Sequence, residues 1–345
     1  MNIFDKEDLL MTYIRTKTTF KHRLKDLKQY NHVKIYVYEL DALGVNDGPM
    51  MYDLRRRGWI WYDSKGNFKV LRDGPIQPSL LALTKKRDKV EVPLNDMHKW
   101  MRDQLRFVTL PDVSDEEVPV YFKAFLKHRE TDLAQFFSVD AFAGRIHTPV
   151  VNLKGDLRFK IRFHGSPVIS LDVKQMQPTI LGKVLASSVG KNDFSDAIDN
   201  GDDVYVMLQK QAGLETRPEA KKYLFQLIFG KPMEGIGSMF KGSTKWVDWI
   251  NQYKSREESR NPHKEKKHSN LAWLLQYSEV RVMQQLWKKL IACEVPFLTI
   301  HDEILVPPEY KTQTLTMMGK ELASHFKKFT INVTDGFEYK ESIEY

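Results

Sequence analysis

Thr299-Ile300-His301-Asp302-Glu303-Ile304-Leu305-Val306 sets an ionisable triplet between two short apolar runs, Pro296 to Ile300 and Ile304 to Val306. Both runs are β-prone, so the stretch reads as a tight hairpin with two carboxylates at its tip. Two acids on a rigid turn suit a hard divalent cation such as Mg²⁺. Taken alone, the triplet is as readily a surface turn. Its weight comes from what lies upstream.

Val168-Ile169-Ser170-Leu171-Asp172 is a second β-prone run, and a helix-compatible stretch from Met176 to Leu185 follows it. Pro178 falls in the first turn of that helix, where its missing N–H costs little. On its own, Asp172 is more simply a helix N-cap. Asp172 and Asp302 both sit at strand ends, however. Two adjacent strands in one sheet would bring them as close as a two-metal site requires.

The third segment runs from Thr216 to Gly230. Thr216 is the N-cap, Pro218 lies near the helix start, and Gly230-Lys231-Pro232 ends the helix. Arg217, Lys221, Phe225 and Phe229 are spaced by four and share one face. The plain reading is an amphipathic helix. Two cations followed by two rings also suit a nucleotide, with phosphates on the cations and sugar and base on the rings.

Together these segments resemble motifs A, B and C of the family A DNA polymerases, the DNA polymerase I group. Motif B of that family, Arg-x-x-x-Lys-x-x-x-Phe-x-x-x-Tyr-Gly, stands here as Arg217, Lys221, Phe225, Phe229 and Gly230. Motif C is His301-Asp302-Glu303, and motif A corresponds to Asp172-Val173-Lys174-Gln175-Met176-Gln177-Pro178-Thr179. Ala143-Gly144-Arg145-Ile146-His147-Thr148 resembles the Gly-Arg segment ahead of motif A. Leu275-Gln276-Tyr277-Ser278-Glu279 resembles the Gln-bearing helix start ahead of motif C. Five matches in the right order, over residues 140–345, are far more specific than any one.

The resemblance implies an α+β fold: a right-hand palm of antiparallel sheet with helices, helical fingers, and a divergent β-rich N-terminal region. The expected division is 1–140 for that region, 141–186 for the first palm part, 187–268 for the fingers and 269–345 for the second palm part. The implied function is template-directed DNA polymerisation, adding dNTPs to a primer 3′-hydroxyl. Asp172 and Asp302 would hold two Mg²⁺ ions, with Mn²⁺ as a substitute, and Glu303 would be an auxiliary acid. Lys221 and Arg217 would bind the β- and γ-phosphates, and Lys221 would protonate the leaving pyrophosphate. Phe225, Phe229, Gln175 and Gln177 complete the implied dNTP site. Arg145, Gln276 and His301 would contact the primer-template.

Departures from the family pattern carry expectations of their own. The family has Glu where Gln177 stands, a side chain that blocks a ribose 2′-hydroxyl, and Tyr where Phe229 stands. Gln keeps the bulk, so ribose discrimination is expected to be weakened but not abolished. Phe225 in place of Tyr implies poor use of dideoxynucleotides. Lys174 and Thr179 also depart, with no evident consequence. There is no room for a full thumb or a 3′→5′ exonuclease domain. No proofreading and low processivity follow, unless residues 1–140 or a replisome partner hold the duplex. Other readings of the same residues are a phage-type RNA polymerase, a non-catalytic primer-template binder and a two-metal nuclease.

Composition agrees. The chain has 345 residues, net charge +8 and one cysteine. That length allows one large or two to three small domains, and the charge suits a polyanionic partner. A lone Cys293 excludes a disulfide framework and fits a reducing cytosol; the resemblance to a compact polymerase implies a phage or mobile element, and with it the cytoplasm of a bacterial cell or phage-infected host. The apolar neighbours of Cys293 suggest burial. The charged N-terminus is unlike a signal peptide, and no stretch is apolar enough to span a membrane.

Along the chain, residues 1–30 read as a basic helix with Leu9, Leu10, Tyr13 and Ile14 on one side. Residues 33–95 look β-rich, with a hairpin from Trp59-Ile60-Trp61-Tyr62 into Phe68-Lys69-Val70-Leu71. Trp59 and Trp61 are expected in a core. Arg55-Arg56-Arg57 suits either solvent or nucleic acid. Helices are expected over Asn95–Arg106, Glu116–Phe137, Asn270–Ala292 and Lys311–Lys328. Leu271, Leu274, Leu275, Val282, Leu286 and Leu290 form the buried stripe of the third. The polar, basic stretch 253–268 reads as a solvated loop. Phe329–Val333 and Gly336–Tyr339 would complete the sheet that holds Asp172.

Overall fold

The computed structural model describes residues 6–7, 10–11, 13–14, 33–34, 40, 46–62, 64, 67–70, 92–114, 117–131, 133–231, 244–258, 260–263, 266–336 and 338–345. The chain forms two compact units, residues 1–90 with 115–128, and residues 91–114 with 129–345. The fold is α+β, and every described strand pairing is antiparallel. No described helix is long and apolar enough to cross a membrane.

The first unit holds β1 (Val33–Lys34), α1 (Gly48–Arg56), β2 (Ile60–Tyr62) and β3 (Asn67–Val70), with sheet order β1-β3-β2. The expected hairpin is present, with Tyr62 opposite Phe68. Helix α1 corrects the β-rich reading of residues 33–95. Asp47 accepts from the Met50 N–H, and a proline stands in the first turn, a start signal passed over in the sequence. Leu10, Ile14, Leu54, Ile60 and Phe68 form the core. Leu9 and most of residues 1–30 lie outside the described residues. Trp59 packs on this core, but Trp61 is 39% exposed, because strand alternation turns it away from Ile60. Arg57 pairs with Glu7 and Asp53 and stacks on Trp59, while Arg55 lies over Tyr62.

Helix α2 (Asp96–Gln104) starts at its Asn95 cap as expected. Helix α3 (Val120–His128) is shorter than the expected Glu116–Phe137 and belongs to the first unit. In the second unit follow β4 (Val108–Thr109), the hairpin β5 (Ser138–Val139) and β6 (Ile146–His147), α4 (Gly155–Arg158), β7 (Arg162–Phe163), β8 (Ser166–Pro167) and β9 (Ile169–Val173). Helices α5 (Met176–Val189), α6 (Asp193–Asn200), α7 (Val204–Ala212), α8 (Arg217–Phe229), α9 (Thr244–Ser255) and α10 (Asn270–Ala292) come next. Residues 232–243, within the expected fingers, lie outside the described residues. Strands β10 (Leu298–Ile300) and β11 (Glu303–Val306), helix α11 (Lys311–Ala323), and strands β12 (Thr330–Asp335) and β13 (Glu338–Glu344) complete the unit.

The central sheet has the order β10-β11-β9-β12-β13. One of its faces carries Leu171, Val173, Ile304, Ile331 and Val333, all buried. Helix α10 packs against α5 and α11. Burying such side chains stabilises the unit by roughly 1.5–3 kcal/mol each.

Several expectations are corrected. Helix α11 stops at Ala323, because the Ser324 hydroxyl donates to the Glu321 carbonyl at the helix end. Cys293 is exposed: α10 ends at Ala292, and Cys293 takes the C-cap position off the buried stripe. Within that stripe Leu274 is only half-buried, and Trp273 is the buried neighbour. The segment after α9 is not simply solvated. Buried Asn261 donates to Asn270, and Asn270 donates to the Arg256 and Tyr253 carbonyls. Glu258 accepts from both Arg256 and Arg260.

Candidate active site

Asp172 is the fourth residue of β9 and lies between Glu303 of β11 and Asn332 of β12 in the strand register. Directly opposed residues project from the same face of a sheet. Glu303, Asp172, Asn332 and Ser342 therefore form a polar row across four strands. Asn332 Nδ2 donates to Asp172 Oδ2 at 3.4 Å, and Ser342 Oγ donates to Asn332 Oδ1 at 2.9 Å. This row is the back face of a site whose front is built by helices.

The hairpin differs in detail from its expected form. Ile300 pairs with Glu303, so the turn is His301-Asp302 alone. Asp302 stands at the tip, but Glu303 belongs to the strand and is buried. Its Oε1 accepts from Ser170 Oγ at 2.6 Å and its Oε2 from Arg158 Nη1 at 3.0 Å. With both oxygens engaged, Glu303 acts as a brace within the sheet. The Asp302 carbonyl accepts from Val173 N–H at 3.3 Å, fastening the tip to the end of β9.

Asp172 and Asp302 line a cavity of about 430 Å³, with Lys221, Phe225 and Phe229 of α8 also on its wall. Gln175, Gln177, Gln276, Arg145 and His301 line it too. Arg217 is not on that wall. Its Nε and Nη2 donate to Asp203 Oδ2 at 2.9 and 2.8 Å, and its guanidinium lies over Tyr205. Helix α8 is built as its sequence suggests, with the Thr216 hydroxyl capping Glu219 N–H and Gly230 closing the end. Two of the four described non-glycine residues with positive φ, Gln175 (60°) and His301 (59°), stand at this cavity. Such backbone costs about 1–3 kcal/mol and collects at functional sites. Gln175 is held there by accepting from Val204 N–H at 2.9 Å.

Two site residues went unassigned in the sequence. Glu279 of α10 is almost fully buried, accepts from Arg145 Nη2 at 2.6 Å and from Gln177 Nε2 at 2.8 Å, and lines the cavity. Arg158 is the cation that holds Glu303. A signal for Glu279 was present, since it occupies the gap in the α10 stripe between Leu275 and Val282. Arg158 has no such signal, because its partner is distant in the chain.

Charge balance separates these acids. Burial pushes Asp172, Glu279, Asp302 and Glu303 all above the usual carboxylate range. Glu279 is paired with Arg145, and Glu303 with Arg158. Asp172 and Asp302 have no ion pair among the described residues. Asp302 is raised further by the neighbouring charges of Glu279 and Asp172. Lys221 faces them, and its charge favours ionised Asp172. His301 is held down to about 4 by burial and by Arg145, so its ring is neutral at pH 7.

Two half-buried carboxylates, Asp172 and Asp302, that open together on a cavity fit a hard divalent cation, which would supply the countercharge. Among the described residues, no group of three or more His, Cys, Asp or Glu is arranged as a protein-only metal cage. A two-carboxylate site that completes its shell with substrate oxygens is how Mg²⁺ is usually held. No family model matches the chain, and no curated protein matches it.

Proposed function

We propose that the protein is a template-directed DNA polymerase that adds dNTPs to a primer 3′-hydroxyl by two-metal nucleotidyl transfer. The observation that carries this reading is the couple Asp172 and Asp302, without an ion pair among the described residues, lining one cavity with Lys221, Phe225 and Phe229. An anion-seeking wall opposite a cation-seeking wall suits a triphosphate delivered with its metal. The two aromatic rings supply apolar surface for sugar and base.

On this reading the five-stranded sheet is a palm, and the helices from α6 to α9 are fingers. Asp172 and Asp302 would hold Mg²⁺ or Mn²⁺, which when bound neutralises the phosphates and eases ionisation of the attacking hydroxyl. Lys221 binds the β- and γ-phosphates and donates a proton to the leaving pyrophosphate. Arg217 joins it only by exchanging Asp203 for phosphate, an exchange of one acceptor anion for another. Gln177 is oriented by Glu279. A carboxylate only accepts, so the amide must turn its NH₂ toward it and keep its oxygen for the cavity. Glu303 supports β9 from the adjacent strand through Ser170 and does not touch substrate. Arg145, Gln276 and neutral His301 meet the primer-template, with a processivity partner holding more distant duplex.

The test is extension of a labelled DNA primer on DNA and RNA templates with Mg²⁺ and dNTPs or ribonucleotides. Extension by wild type with none by Asp302→Ala supports the proposal. Primer shortening without dNTPs, lost in the same variant, would instead make this a nuclease. Salt-sensitive binding without extension would make it a non-catalytic binder.

A further inference from the structure

Outside the cavity, α10 carries a column of stacked groups that the reaction does not use. Trp273 and Tyr277, one helical turn apart, stack with ring centroids 5.2 Å apart and planes 20° from parallel. Trp273 is 4% exposed, whereas Tyr277 is 39% exposed. The buried indole therefore fixes the phenol ring as a rigid surface platform. Arg260 caps the column, with its guanidinium 5.1 Å from the Trp273 ring. Arg256 lies 3.7 Å from the centre of Tyr253. Glu258 clasps both guanidiniums, at 3.1 Å each, and is held down to about 2, foremost by its bond to Arg260. Each arginine stays at least half exposed while so fixed. Tyr277 directly follows Gln276, which lines the cavity.

We infer that Arg260, Trp273 and Tyr277 form a stacking track for the unpaired template strand beside the cavity, with Tyr277 receiving a base. This rests on the polymerase reading for the word template. The ligand chemistry itself, a single-stranded polynucleotide, is argued from charge and stacking. Aromatic platforms flanked by cations bind single strands without sequence preference, since every base offers a π-face and every linkage a phosphate. Lys266, Lys267 and His268 extend the basic surface along the same segment. The His263 ring stacks on Phe142 at 5.2 Å, fixing that segment to the β5–β6 turn. Aligning the guanidiniums with Glu258 before binding removes part of the ordering cost.

The experiment uses the full-length protein and fluorescent primer-templates that are blunt or carry an unpaired template of about eight nucleotides. A 2-aminopurine marks the first unpaired template position. Wild type should prefer the overhang, and its binding should quench the 2-aminopurine. Tyr277→Ala should cut that preference about tenfold and relieve the quenching, with blunt affinity unchanged, and Tyr277→Phe should behave as wild type. Equal overhang preference and quenching in wild type and Tyr277→Ala would overturn the inference, as would no preference in wild type. The readout is binding, so the two claims separate. A protein that extends primers but ignores the overhang loses the track. One that binds the overhang through Tyr277 but never extends keeps the track and loses the polymerase.

Discussion

Asp302 is half-buried beside two acids and, among the described residues, has no ion-pair partner, an arrangement that costs the fold and that a bound cation would offset. Replacing it with Asn removes the unpaired charge, so Asp302→Asn should stabilise the metal-free protein by about 1–2 kcal/mol in urea denaturation. Mg²⁺ should raise the unfolding midpoint of wild type and leave that of Asp302→Asn unmoved. An equal rise in both would place the metal elsewhere. Gln177 poses a second residue-scale question, because its amide is bound to Glu279 rather than to Phe229. Gln177→Ala should increase ribonucleotide incorporation relative to wild type in single-nucleotide extension, and no increase would remove Gln177 from sugar selection. Phe225 should make chain termination inefficient at equimolar dideoxy- and deoxynucleotide. Much of this level was legible beforehand. Asp172, Asp302, Lys221, Phe225 and Phe229 were identified by residue type and spacing, and they share one cavity. Glu279 was readable only as an acid on an apolar stripe. Arg158 was not readable, because its value depends on β11 arriving beside it from 145 residues away.

At the scale of elements, α8 depends on a residue outside it. Lys254 of α9 is 1% exposed and donates to the Leu227 carbonyl at 2.7 Å, satisfying one of the last acceptors of α8. Burial lowers its ammonium to about 8. Lys254→Met leaves that carbonyl unpaired, so it should lose about 1–3 kcal/mol of stability and raise the KM for nucleotide, since Lys221 and both rings ride on α8. Unchanged KM would separate the bond from the site. The segment after α9 gives a pH test. Glu258 has a folded pKa near 2, below its ordinary value, so its stabilisation is present above about pH 4.5 and lost as the pH falls toward 2. Glu258→Gln should therefore be less stable than wild type at pH 7, with the gap closing between those limits in thermal melts. Element boundaries show where sequence patterns run out. The α8 limits follow from its Thr216 cap and closing Gly230, and α10 follows from its apolar periodicity. The end of α11 and the packed loop around Asn261 are set by side-chain to backbone bonds that periodicity does not carry. Helix α1 was missed although Asp47 and Pro49 mark its start.

At the scale of the whole molecule, a net charge of +8 combines with a cavity whose own acids are partly uncompensated. Binding of a polyanion by such a chain should weaken steeply with salt, since even two or three phosphate contacts lose roughly tenfold or more between 50 and 200 mM. The antiparallel sheet that brings Asp172 beside the Asp302 turn pairs β9 with strands from the C-terminal end of the second unit, so the site forms only once these distant segments meet. The most direct measurement is therefore single-turnover incorporation of one dNTP by four charge-removing variants, each checked for folding. Asp172→Asn and Asp302→Asn should fall to background while remaining folded, and Glu303→Gln and Glu279→Gln should retain measurable incorporation. Incorporation that survives in Asp172→Asn or Asp302→Asn, or its absence in wild type, would contradict the assignment of this unpaired couple as the centre of nucleotidyl transfer.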